Sequence, residues 1–199
     1  SVGIHVVDLD GAFSGKSANL QAIERILDSG LKIQLGGGIR ELENAATLLE
    51  AGVERVVVGT RACREPAFVG ELDSRFGSKI AVGIDARDGF VAVEGWVDVT
   101  EVRAIDLAAQ VTREGVETII YTDISRDGAM TGPNFEAMEE MLKTVSCRVV
   151  ASGGVSTLAD VRRFLEISSK HPNLEGVIIG KALYEGALSL GDVLAIGAA

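Results

Sequence analysis

Val6–Ala12 reads VVDLDGA, and the phrase returns at Tyr121–Ala129 as YTDISRDGA: an apolar run, an aspartate, then Asp-Gly-Ala. Outward from it, QLGGGIR (Gln34–Arg40) returns as VASGGVS (Val150–Ser156), and RVVVGTRA (Arg55–Ala62) returns as GVIIGKAL (Gly176–Leu183). The three pairs keep their order and a near-constant offset, slightly more than half of the 199 residues. A repeat at one long period means one architectural unit used twice. The second copy carries one more element in front, KIAVGIDARDG (Lys79–Gly89), and its Asp85 has no mate in the first copy. On this reading the chain holds seven units of an eight-unit object, with the first unit absent.

Seven short apolar runs alternate with helical patterns: Ile4–Asp8, Lys32–Leu35, Arg55–Gly59, Lys79–Asp85, Glu117–Asp123, Arg148–Ser152 and Glu175–Gly180. Several are apolar on successive residues, as in Val56-Val57-Val58 and Val177-Ile178-Ile179. Strict alternation would leave one face polar, so these are strands buried on both faces, as parallel strands are. Helix ends punctuate the intervals. Asn19 is expected to cap a stripe of Leu20, Ile23, Ile26 and Leu27 closed by Gly30, and Asn134 to cap Phe135–Leu142. Pro66 stands where a first helical turn accepts proline. Strand-then-helix alternation with short links means a parallel sheet. The repeat selects a (β/α)8 barrel of the TIM type over an open doubly wound sheet, because a duplicated half closes on itself. One domain, residues 1–199, is expected, truncated to seven βα units.

Composition narrows the function classes. A hydrophobic content of 47% suits a filled interior, and no apolar stretch approaches the ~18–20 residues of a membrane span. The net charge of −10 argues against a nucleic acid or an anionic membrane as partner. Cys63 and Cys147 show no metal spacing and build no disulfide framework, which points to a cytoplasmic protein with reduced thiols. Two distant histidines offer no metal site, and His5 within the first strand reads as a core residue.

Two glycine turns carry chemistry. Gly37 and Gly38 follow the second strand, and Gly153 and Gly154 follow its repeat mate. Each pair is echoed one strand later, by Gly59-Thr60 and by Gly180-Lys181. Alone, either pair reads as a tight turn. Duplicated in equivalent places, they read as two anion sites half a barrel apart, where backbone N–H groups at helix N-termini meet phosphate. The implied ligand is a small molecule with a phosphate at each end. Between the sites lie Asp8, Asp10, Asp85, Asp123 and Asp127. Asp88-Gly89 and Asp127-Gly128 also read as turn chemistry. Asp85 is singled out as a proton-transfer group at the end of an apolar strand; Thr122 and Asp123 are second candidates, and Asp8 could supply another carboxylate. Arg40, Arg87 and Trp96 are expected at the same mouth, Trp96 either stacking on a planar ligand or covering the opening.

The ordered motifs VDLDGA, GGGIR, GIDARDGFVAVEGW, TDISRDGAMTGPN, ASGGVS and VIIGKALYEG resemble the phosphoribosylformimino-aminoimidazole-carboxamide ribotide isomerases of histidine biosynthesis. The resemblance implies a half-duplicated (β/α)8 barrel that performs an Amadori rearrangement, aminoaldose to aminoketose, on a substrate with two phosphates and without metal or organic cofactor. It implies that Asp85 is one of two acid/base residues and that Thr122 assists it, with Asp123 beside. It also implies that Gly37, Gly38, Gly59 and Thr60 hold one phosphate and Gly153, Gly154, Gly180 and Lys181 the other. The family's first strand, with its second acid/base aspartate, has no match here, so Asp8, Asp123 or another chain would have to serve. Other readings stay open: a binder of phosphorylated ligands without turnover, and a broader isomerase that also accepts phosphoribosylanthranilate; the related cyclase is disfavoured by Thr122-Asp123-Ile124 and by Gly95-Trp96, which its pattern lacks. An incomplete barrel with apolar strand edges is expected to self-associate, most simply as a homodimer.

Overall fold

Nine strands and ten α-helices are found in the computed structural model, which describes residues 3–15 and 19–197. The expected apolar runs form seven parallel strands: β1 (Gly3–Val7), β2 (Lys32–Gly36), β3 (Arg55–Val58), β4 (Ile80–Arg87), β7 (Thr118–Asp123), β8 (Arg148–Ser152) and β9 (Leu174–Val177). They lie side by side in chain order, β1-β2-β3-β4-β7-β8-β9. Helices fill the intervals: α1 (Leu9–Ser14) and α2 (Leu20–Leu27) after β1, α3 (Leu42–Glu50) after β2, α4 (Thr60–Arg64) and α5 (Pro66–Phe76) after β3. Then come α6 (Ala104–Arg113), α7 (Phe135–Thr144), α8 (Leu158–Lys170), α9 (Lys181–Tyr184) and α10 (Leu190–Gly197). Among the described residues no helix is long and apolar enough to cross a membrane.

The strands need apolar residues in succession because each face has a separate duty. Val56, Val58, Ile80, Val82, Ile119 and Val149 join the large cluster under the helices, with Leu48, Leu72, Leu107 and Met141. Their chain neighbours Val57, Ala81, Ile120 and Val150 point to the other face and form a second, smaller cluster. That second face is the inside of a curl. Arg55 on β3 pairs with Glu175 on β9 at 3.0 Å, although β4, β7 and β8 stand between those strands in the sheet. Only a strongly rolled sheet lets them meet, so the fold is a (β/α)8 barrel-type curl of parallel strands with its helices outside.

The structure corrects the sequence reading in two places. The segment after Asp85 does not lead straight to a helix. The chain turns at Asp88-Gly89 into β5 (Phe90–Val93) and β6 (Asp98–Arg103), an antiparallel hairpin leaning on β4. Asp88 (φ 53°) and Gly89 (φ 82°) are both left-handed, as a two-residue hairpin turn requires. Asn19 precedes α2 but makes no side-chain cap there; its amide is used by Asp8 and Asp10 instead.

Candidate active site

The strand ends carry two matching constructions. Asp8, buried at the end of β1, accepts from the backbone N–H of Gly11 (2.9 Å) and from Asn19 Nδ2 (2.7 Å). Asp123, buried at the end of β7, accepts from Ser125 N (3.0 Å), from the Ser125 hydroxyl and from Asn134 Nδ2 (2.8 Å). In each copy an asparagine eleven residues onward closes the loop on the strand-end aspartate. Both carboxylates thus serve to hold βα loops.

Those loops abut the glycine turns. A Cβ on Gly37 would stand 2.2 Å from the Asp8 carbonyl oxygen, and one on Gly153 would stand 2.6 Å from the Asp123 carbonyl oxygen. Both glycines also have positive φ, 105° and 95°, so no other residue fits either position without displacement. One strand later the match recurs. Gly59 (φ −104°, ψ −103°) opens α4, and Gly180 (φ −111°, ψ −96°) opens α9. A side chain at either would meet open space, so packing does not require these two glycines. At the second site a cavity of about 60 Å³ is lined by Gly153, Gly154, Gly180, Lys181 and Asp127. A single water needs ~10–15 Å³, so the cavity has room for several waters or a small anion. Lys181 Nζ donates to the Gly128 carbonyl at 2.9 Å, which ties the β7–α7 loop to the start of α9.

Asp85 lies between these loops. It is the neighbour of Thr122 in the β4–β7 register, and the Thr122 side chain favours its charged form. Trp96 Nε1 donates to Asp85 Oδ2 at 2.7 Å. Burial pushes the Asp85 carboxyl above the usual carboxylate range; the Trp96 hydrogen bond and the Thr122 side chain pull the other way, and the charge of Asp127 adds to the rise. The direction suits a group that must hold a proton and give it up near neutral pH. Asp127 is the acid that sequence reasoning passed over as turn chemistry. Its position four residues after Asp123, on a loop returning over the strand ends, was the available signal.

The other candidates scatter more widely. Arg40 donates to the Ala12 carbonyl (3.1 Å), and its own carbonyl accepts from Arg61. Arg87 is exposed at the end of β4, and Trp96 is 38% exposed above Asp85. His5 lies within β1. Burial lowers its pKa, and Nδ1 is buried with no hydrogen-bond partner. Among the described residues no group of three His, Cys, Asp or Glu could hold a metal ion.

A family model described as "Histidine biosynthesis protein" matches residues 2–189. The chain belongs to that family. Among its relatives is the 1-(5-phosphoribosyl)-5-((5-phosphoribosylamino)methylideneamino) imidazole-4-carboxamide isomerase of Thermodesulfovibrio yellowstonii, 53% identical over 97% of this chain and 78% of that protein. The enzymes of the same name from Desulfitobacterium hafniense (50% identical, 97% of this chain, 78% of the relative) and Opitutus terrae (50%, 98% and 81%) are similar to the same degree. The expectation that a first βα unit is absent draws no support from the family match, which begins at residue 2 and runs nearly the length of the chain.

Proposed function

We propose that this protein is an isomerase of histidine biosynthesis, converting a bisphosphorylated aminoaldose into the aminoketose by an Amadori rearrangement. The observation that carries the reading is a half-buried carboxyl, Asp85, set between two glycine constructions with matching backbone geometry. Relatives at about half identity bear the name of that isomerase.

The two constructions are read as phosphate sites: Gly37, Gly38, Gly59 and Thr60 at one end of the ligand, Gly153, Gly154, Gly180 and Lys181 at the other. Support comes from the repeated conformation at Gly59 and Gly180, from the open space there, and from the cavity at the second site. A ligand held at both ends spans the mouth where Asp85 sits. Protonation of the furanose oxygen lets the C1–O bond break and leaves a Schiff base. Loss of the C2 proton then forms the enol-amine, which takes up a proton at C1 and gives up its C2 hydroxyl proton as the ketose forms. Asp85 is assigned to proton transfer at the sugar, with Thr122 and Trp96 fixing its carboxyl. Because Asp8 and Asp123 are committed to Asn19 and Asn134, Asp127 is the better second carboxylate: it faces the cavity and acts electrostatically on Asp85. Arg40, Arg87 and Trp96 are assigned to the body of the substrate.

We place the enzyme in the cytoplasm, in keeping with two free cysteines. Self-association is part of the reading. Among the described residues β1 and β9 each pair with one strand only, and Leu9, Tyr184, Leu190 and Leu194 on these terminal units are exposed. The deciding experiment assays the purified chain on the histidine-pathway aminoaldose and on phosphoribosylanthranilate, with its mass taken by light scattering in the same preparation. Turnover of the first by a dimer is expected. A monomeric chain that turns over neither would defeat the reading.

A further inference from the structure

We infer that Glu94 is a positioning residue, one that acts on Asp85 through Trp96 by holding the tip of the β5–β6 hairpin. The inference rests on the assignment of Asp85 to proton transfer. The hairpin is rooted beside that carboxyl, since Ala92 pairs with Asp85 in register and Val93 pairs with Asp98 to close the ladder. Its tip, however, is conformationally costly. Glu94, Gly95 and Trp96 are all left-handed, with φ of 54°, 68° and 72°. Two of these are not glycine, and for such residues this region is sparsely populated and persists only when the surroundings impose it.

The surroundings that impose it belong to α4. The backbone N–H of Glu94 donates to Thr60 Oγ1 at 3.0 Å, and its carboxylate pairs with the Arg64 guanidinium one turn further along the same helix. Cys63, between them, has the Thr100 side chain of β6 as its polar neighbour. The Thr100 hydroxyl in turn donates to the Val91 carbonyl on β5. Helix α4 therefore packs on β5 and holds the tip of the hairpin. With Glu94 fixed, the next two left-handed residues carry the indole back over β4, where Nε1 meets Asp85 Oδ2. Free the tip, and nothing in this set of contacts directs the indole to the carboxyl. Glu94 itself is exposed and its carboxylate is taken by Arg64, so its influence is through geometry.

A charge exchange tests this. Arg64→Glu and Glu94→Arg each place like charges across the contact, and the double variant restores opposite ones. Each single variant is expected to lose about fivefold in kcat, the upper range for an exposed ion pair, with KM within about twofold of the parent. The emission of Trp96, the only tryptophan in the chain, is expected to shift to the red in both singles. The double variant is expected to recover turnover and emission together. Single variants with parental kcat and emission would overturn the inference, and so would losses that the double variant fails to recover. The emission needs no substrate. If the parent protein turns over no aminoaldose, the functional reading fails, while the emission of the four proteins still decides whether Glu94 directs Trp96.

Discussion

Arg55 meets Glu175 across the inside of the sheet, 120 residues further along the chain, with Nη2 to Oε1 at 3.0 Å. The same guanidinium reaches Gln34 Oε1 at 3.4 Å, so three strands converge on one cation at the floor of the curl. The Arg55 side chain is 17% exposed and that of Glu175 33%, which places the pair between the surface and buried regimes. Glu175→Ala is expected to destabilise the fold by about 1–3 kcal/mol, since it leaves a half-buried guanidinium with a weaker partner. A double-mutant cycle with Arg55→Ala in urea checks this. Strictly additive effects would show that the contact does not help to hold the roll of the sheet.

The two loop-closing asparagines differ in a way that stability can read. Asn134 donates to Asp123 and also caps α7, its Oδ1 accepting from Ala137 N at 3.2 Å. Asn19 donates to Asp8 and Asp10 without capping α2. Asn134→Ala is therefore expected to cost about 2 kcal/mol and Asn19→Ala about 1 kcal/mol, by loss of a cap plus a buried hydrogen bond against loss of the hydrogen bond. Chemical denaturation of both variants gives the order. Equal costs would mean that the cap on α7 contributes nothing.

Asp85→Asn should lower turnover at least ~10²-fold, the range of a positioned proton-transfer group. It should also stabilise the protein at neutral pH. Burial raises the folded-state pKa of Asp85 above its unfolded value, so its favourable contribution is complete below the unfolded pKa and is lost as pH rises through the folded one. Above its unfolded pKa the parent must either desolvate a charge or take up a proton on folding, a cost the amide does not bear. The melting temperature of the variant is thus expected to exceed the parent's at pH 7, with the difference shrinking towards pH 4. A variant less stable than the parent at pH 7 would show that the Trp96 hydrogen bond and the Thr122 side chain outweigh desolvation.

Crystals grown in sulfate are expected to show anions at Gly37-Gly38 with Gly59-Thr60 and at Gly153-Gly154 with Gly180-Lys181. Lys181→Met should weaken phosphate binding at the second site only, because its ammonium is the cation that lines that cavity. Titration of inorganic phosphate followed by calorimetry measures it. Anions bound elsewhere, with both loops empty, would remove the bisphosphate reading.

Repeated phrases and successive apolar residues were enough to place seven strands within one to three residues of their ends, because a parallel strand buried on both faces leaves a local signature that no loop imitates. The glycine turns were legible for the same reason: Gly37 and Gly153 answer a backbone conformation, and that demand is written at the position itself. The hairpin was legible in principle, since Asp88-Gly89 stands before Phe90-Val91-Ala92-Val93, but its short strands were outweighed by the strand–helix rhythm around them. What tertiary structure alone decided are the partnerships. Whether Asp8 and Asp123 face a substrate or an asparagine eleven residues away, whether Trp96 meets Asp85, and whether Arg55 finds Glu175 all depend on how far the sheet rolls and where each loop returns. Those are properties of contacts between distant segments, and side chains of the same type carry no local mark of which partner they will meet.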